Sequence, residues 1–143
     1  MPTWAKVLLG IGCGLVLVTL AIGVAGFLFV NRHKDQWIAD AKKANDDGVA
    51  FGQGKTTNDC IDESLTRLRA TNGILAETSV RIFLRGCLKV AESSPQMCDA
   101  VPAKGEIFKS ATWALHECAR RGMAHSHPCE RLIQELQERC DKK

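Results

Sequence analysis

The sequence predicts an all-α protein: an N-terminal transmembrane helix followed by a small disulfide-stapled four-helix domain. Three observations predict it. Val7 to Val30 runs 24 residues without a charge. Beyond Thr57, apolar residues recur at steps of three and four with no convincing alternation, the period of helices rather than strands. Six of the seven cysteines lie in that same stretch, where a unit too small for a large core benefits from staples.

The expected layout is a tail at 1–6, a transmembrane helix at 7–30, a juxtamembrane helix at 31–47, a glycine hinge at 48–57 and the cysteine-rich helical domain at 58–143. At 1.5 Å rise per residue, the apolar run crosses a ~30 Å hydrocarbon core with some tilt. Trp4 and Lys6 stand at one edge and Asn31, Arg32, His33 and Lys34 at the other, residue types that settle among headgroups. A cleaved signal peptide is the rival reading, but its apolar region is typically 7–15 residues. The run therefore reads as an uncleaved signal-anchor. Gly10-Ile11-Gly12-Cys13 looks like a bacterial lipidation site, yet 17 further residues of the run follow Cys13, so a buried membrane thiol is preferred. Gly10 and Gly14 form a GxxxG that can let two helices approach, which offers self-association.

Asp35 to Asp47 (DQWIADAKKANDD) reads as a helix continuing out of the anchor, with Trp37, Ile38, Ala41 and Ala44 as a thin apolar stripe. Gly48, Gly52 and Gly54 then suggest a break. Helix A begins near Asn58 or Asp59, carries Ile61, Leu65 and Leu68, and stops at Asn72-Gly73. Helix B runs to about Glu92 with Val80, Phe83, Leu84, Cys87, Leu88 and Ala91 on one face, ending at Ser93-Ser94-Pro95. Helix C occupies roughly Gly105 to Arg121 and groups Ile107, Ala111, Ala114, Leu115 and Cys118. Helix D opens at Pro128, a favoured first-turn residue, and aligns Cys129, Leu132, Ile133, Leu136 and Cys140.

Six cysteines permit 15 pairings. In an up-down-up-down bundle Cys60, Cys87, Cys98 and Cys140 share one pole, and Cys118 and Cys129 share the other. The simplest solution is Cys87–Cys98 and Cys118–Cys129 across turns, with Cys60–Cys140 tying the ends. That last bridge closes about 80 residues, worth about 4 kcal/mol on the chain-entropy account. Disulfides imply an oxidising compartment. The flanking charges pull the other way: Lys6 and the amino terminus on one side face Arg32, Lys34, Lys42 and Lys43 on the other, a weak vote for a cytoplasmic module. The cysteines carry more weight, because the imbalance is small.

The formal net charge is +3, and its excess sits at Lys6, Arg32 and Lys34; from Asp35 onward 16 basic and 16 acidic residues cancel. A neutral module without a basic run and without tyrosine argues against nucleic-acid binding. Val49 to Thr56 (VAFGQGKT) ends like a phosphate-binding loop, but Val49 stands where GxxxxGK[ST] needs its first glycine and no strand precedes it. His116, His125 and His127 crowd together with Cys118 and Cys129. Imidazoles and thiolates can hold zinc or copper, which makes a metal- or redox-responsive sensor the alternative function. The spacing matches no common zinc pattern, and a Cys118–Cys129 bridge would consume both thiolates. No C-x-x-C or C-x-x-C-H is present, so neither thiol exchange nor covalent haem is indicated. No serine–histidine–acid set stands out, and Glu63, Glu77 and Glu117 read as solvated helix faces. No cofactor is called for.

Several segments together carry a resemblance: GVAFGQG, CIDESLTR, CLKVAESSPQMCDAVP, ECARRG and PCERLIQELQERC behind a short anchor. The combination resembles small membrane-anchored, cysteine-rich helical envelope proteins of deltaproteobacterial (myxobacterial) type. The resemblance implies a bacterial inner membrane and a periplasmic domain, and it brings no activity. Where such proteins carry extra cysteines near the A–B turn, this chain has Asn72 and Gly73, which implies one bridge fewer and a looser turn. The expected function is a non-enzymatic, extracytoplasmic protein-interaction or accessory module, with Trp37 and Trp113 as candidate partner anchors.

Overall fold

In the computed structural model the chain is all-helical. It describes residues 3–93 and 95–141, with side chains over 14–93 and 97–141. The elements are α1 (Thr3–Gly52), α2 (Thr57–Arg69), α3 (Ile74–Val90), α4 (Pro95–Asp99), α5 (Ile107–Arg120), α6 (His127–Ile133) and α7 (Glu135–Cys140). Two compact units result, Met1–Ala39 and Asp40–Lys143.

The first unit is helix throughout its described length. Among the described residues it supplies the one helix long and apolar enough to cross a membrane, with a mean hydropathy of 2.2 in its best window and nothing packed over it. Leu15, Leu17, Leu20, Ile22, Phe27 and Phe29 are all more than half exposed. The hydroxyl of Thr19 donates back to the carbonyls of Leu15 and Val16 at 3.1 and 2.9 Å, so a polar atom on this apolar surface is satisfied without water. Trp4, Lys6, Gly10 and Cys13 lie outside the described side chains, and with them the lipidation and GxxxG expectations. Of the tail at 1–6, Met1 and Pro2 lie outside the described residues altogether.

The second unit differs from four helices on a hinge. Helix α1 does not break at Gly48 but runs on to Gly52, leaving 53–56 as the connection. The glycines serve contact rather than flexibility. A Cβ on Gly48 would lie 2.1 Å from the Phe83 carbonyl oxygen, and one on Gly52 would lie 2.5 Å from that of Cys87. Gly86 answers from α3, where a Cβ would meet the Asn45 carbonyl oxygen at 2.4 Å. Backbone thus meets backbone where the two helices cross. Ala44 is buried in the same region, and Phe51 stacks near Phe83 with ring centroids 5.8 Å apart. The turn glycine is Gly54, at φ +66°, a region glycine enters without penalty.

Thr56 caps α2. Its hydroxyl accepts from the Asp59 amide at 3.3 Å, while the Asp59 carboxylate accepts from the Thr56 amide at 2.8 Å. This reciprocal capping box accounts for the Gly54-Lys55-Thr56 sequence without a phosphate. The preceding loop is held by two backbone bonds to Glu92, from Thr57 N to its carbonyl and from its amide to the Lys55 carbonyl.

The core joins Ile61, Leu65 and Leu68 of α2, Val80, Leu84 and Leu88 of α3, Ala114 of α5, and Leu132, Ile133 and Leu136 of α6 and α7. These follow the expected faces of helices A, B and D. Helix C follows in part: Ala114 and Cys118 point in as expected, but Ile107 is 75% exposed, Ala111 and Leu115 also face out, and Ser110 takes an inner place. That rotation has a polar cause. Gln137, itself buried, donates to Ser110 Oγ at 2.6 Å and to the Pro102 carbonyl at 2.9 Å, and the Cys118 bond pins the other end of the same face. Helix D is two pieces, split at Gln134, where the Gln137 amide bonds the Gln134 carbonyl three residues back. The end of α1, the short α4 and this split make the module more than a four-helix bundle.

Candidate functional site

All six cysteines of the second unit pair at disulfide distance, and the pairing differs from expectation. Cys60 joins Cys87, Cys98 joins Cys140 and Cys118 joins Cys129, with Cα separations of 5.8, 5.5 and 6.0 Å. These fall in the ordinary range for the bond. Only Cys118–Cys129 follows the sequence reading; Cys87–Cys98 and Cys60–Cys140 are replaced. The four polar cysteines do gather near one end, but α2 and α3 pack against each other and bring the first turn of one to the last turn of the other. The short α4 then carries Cys98 to the end of α7. Cys60, Cys87, Cys118 and Cys129 have no exposed surface.

The histidine turn does not assemble a metal centre. Cys118 and Cys129 are bonded to each other, and His116, His125 and His127 are exposed. His127 Nδ1 lies 3.2 Å from Glu130 Oε2. His125 sits at φ +60° just after Gly122 at φ +75°, a tight left-handed turn that histidine tolerates better than most residues. Among the described residues no group of three or more His, Cys, Asp or Glu side chains could hold a metal ion.

The tryptophans part company. Trp113 is half-buried and packs against the core, which removes most of it from a docking surface. Trp37 is 37% exposed on α1, stacked on His33 at 6.0 Å and edge-on to Phe29 at 6.1 Å. Glu63, Glu77 and Glu117 are in ion pairs with Arg67, Arg131 and Arg120 rather than freely solvated.

The most organised polar feature is one that sequence reasoning missed: a charged seam between α3 and the α6–α7 pair. Glu135 is only 4% exposed. One of its oxygens accepts from Arg81 Nε and Nη2 at 2.8 and 2.5 Å and from Arg85 Nη2 at 3.0 Å, and the other accepts from Arg85 Nε. The hydrogen bond to Glu135 raises the Arg85 guanidinium above its ordinary value, against the opposing effect of burial. Arg131 pairs with Glu77 at 2.6 Å on one side, and Glu138 lies 3.8 Å from Arg85 and 3.9 Å from Lys104 on the other. Beside the seam runs a groove of about 390 Å³ reaching Ile107 and Ser110. Its cations already face carboxylates, so it is a mixed-charge cleft with no free counter-charge for an anion. A buried glutamate held by two arginines at i and i+4 carries no sequence signal beyond that spacing.

No protein-family model matches the chain, and no curated protein or solved structure matches it.

Proposed function

We propose that this chain is a single-pass protein of a bacterial inner membrane, its helical module lying on the periplasmic side. There it acts as a non-enzymatic protein-interaction or accessory module. The observation that carries the reading is the pairing of all six module cysteines, four of them fully buried. Such bonds persist on the oxidising side of a membrane and are rare where thiol reductants dominate. The apolar helix of the first unit supports the anchor. A braced, neutral surface with its polar groups committed to ion pairs and caps suits recognition of a partner more than bond-breaking chemistry.

Crosslinking in native membranes followed by capture of the full chain tests the partner. Alkylation without reduction tests the compartment on the same sample. The reading expects a specific co-captured protein and six of the seven thiols blocked. Six reactive thiols, with the module protected from external protease in spheroplasts, would overturn it.

A further inference from the structure

We propose that the Cys98–Cys140 bond is a redox-exchange site, opened and closed by a dithiol protein of the C-x-x-C class while the rest of the module stays folded. The three bridges differ in what a thiolate can reach. Cys60, Cys87, Cys118 and Cys129 keep 0% of their surface in solvent, whereas Cys98 and Cys140 are both half-buried. Exchange needs a thiolate in contact with a disulfide sulfur, so accessible bonds are the labile or regulatory ones and enclosed ones are inert until the protein opens. Of the three bridges, one meets that condition. The chain has no C-x-x-C of its own, so the dithiol belongs to a second protein.

The two ends of the bond are held unequally, which makes its opening local. On α7, Leu136 lies in the core and Glu135 is bound by Arg81 and Arg85. Gln137 donates to Ser110 Oγ, and Arg139 Nη2 donates to the Ala91 carbonyl at 3.1 Å, tying the last turn of α7 to the end of α3. None of these contacts uses a sulfur, so all survive reduction. Helix α4 is five residues long, well short of the roughly 12 that an isolated helix needs to be even marginally stable. Met97 rests against the core, and the bond at Cys98 is the covalent tie of α4 to α7. Reduction therefore loosens α4 and leaves α7 in place.

The step balances between the two proteins. A thiolate of the dithiol attacks one sulfur of the pair, forming a mixed disulfide and expelling the other sulfur as a thiolate, which takes up a proton. The second thiol of the dithiol then attacks the mixed disulfide and leaves oxidised. Two electrons and two protons pass to Cys98 and Cys140, and the reverse sequence closes the bond. Where the dithiol protein lies rests on the periplasmic reading above, in which the bond is closed at rest; the lability of the bond does not.

The test treats the purified full chain in detergent with dithiothreitol, quenches with iodoacetamide at intervals and maps the labelled cysteines by mass. Cys98 and Cys140 should be labelled together, on the order of a thousandfold faster than the four buried cysteines, whose access waits on an unfolded fraction of about one in a thousand or fewer. In the form with that one bond open, hydrogen exchange should quicken over 97–102 and stay protected at 61–68 and 129–136. Thioredoxin with its second active-site cysteine replaced by alanine should be captured as a mixed disulfide on Cys98 or Cys140. Labelling of all six together, earlier opening of a buried pair, loss of protection in α2 or α6 on the first reduction, or no captured adduct would each overturn the site. Purified protein is blind to compartment, so those results leave the periplasmic reading standing, and free thiols in native membranes would remove that reading without touching the order of labelling.

Discussion

Replacing Gly48 with alanine separates two roles for that residue by the sign of the effect. If Gly48 were a hinge, an added methyl would stiffen the unfolded chain and stabilise the protein by about 0.4–1 kcal/mol. In the crossing of α1 and α3, the same methyl would sit 2.1 Å from the Phe83 carbonyl oxygen, a contact that real Cβ atoms essentially never make below 3.0 Å. The obstacle is backbone, so no side chain can swing away. The helices must part by about an ångström, and a gap of that size forfeits a quarter to a half of each dispersion contact along the seam. Overpacking of this kind costs about 1–3 kcal/mol. For a unit of this size that lowers the melting temperature by roughly 5–20 °C. The assay is thermal unfolding of the full chain in detergent, followed by near-ultraviolet dichroism, to which Trp113 contributes from its place against the core. Gly26→Ala is the control, because nothing lies within 4 Å of the Cβ it would gain. Gly86→Ala should behave like Gly48→Ala, and the double variant should cost less than the sum, since both part the same helices. A Gly48→Ala protein as stable as the parent, or more so, would refute the close crossing.

Three further predictions concern the bonds and charges of the module. A non-reduced digest should yield peptides joined as Cys60–Cys87, Cys98–Cys140 and Cys118–Cys129; removing the second bridge by paired serine substitutions should cost about 4 kcal/mol and removing the third about 3, because the second closes the longer loop. Glu135→Gln should cost about 1–2 kcal/mol in denaturant unfolding, below the roughly 3–5 kcal/mol of a fully buried pair, because Arg81 and Arg85 keep 37% and 50% of their surface in solvent. Hydrogen bonds from the Thr56 backbone and then its hydroxyl hold the Asp59 carboxyl below its ordinary 3.8. Its contribution is complete above that value and fades as pH falls through the lower folded one, so Asp59→Asn should flatten the acid limb of a stability–pH curve below about pH 4 and leave the neutral region parallel.

Much of the module was legible because burial leaves a period. Ile61, Leu65 and Leu68, or Cys129, Leu132, Ile133 and Leu136, announce a helix and its inward face together. The face of α5 was not fully legible for the same reason reversed. Ala114 and Cys118 were placed inside rightly, but Ile107, Ala111 and Leu115 extend their apolar stripe better than Ser110 does, and only the Gln137 side chain, remote in sequence, makes Ser110 the inner residue. Gly48 and Gly52 mislead similarly. Glycine marks a break when nothing is known of what it faces, and a close approach once the facing backbone is Phe83 and Cys87. Helix positions gathered four cysteines near one pole, but spacing cannot choose among partners there, since that choice depends on how α4 turns. The Glu135 seam was silent because a buried glutamate and a solvated one look alike in a sequence.

The order of the bridges has a consequence for how the module is made. Cys60 and Cys87 are consecutive cysteines, so their ring encloses no other cysteine. The other two rings are nested: 118–129 lies wholly inside 98–140. Cys98 must pass over the next two cysteines in the chain and wait for the last. Oxidation in simple order of emergence would close the first ring correctly and then trap Cys98 on Cys118. The native outcome requires either that the inner ring form first or that a thiol–disulfide exchange undo the error. The Cys60–Cys87 ring shares no residue with the other two, so neither route needs that bond to open, and the α2–α3 pair can be finished while the rest is still being sorted.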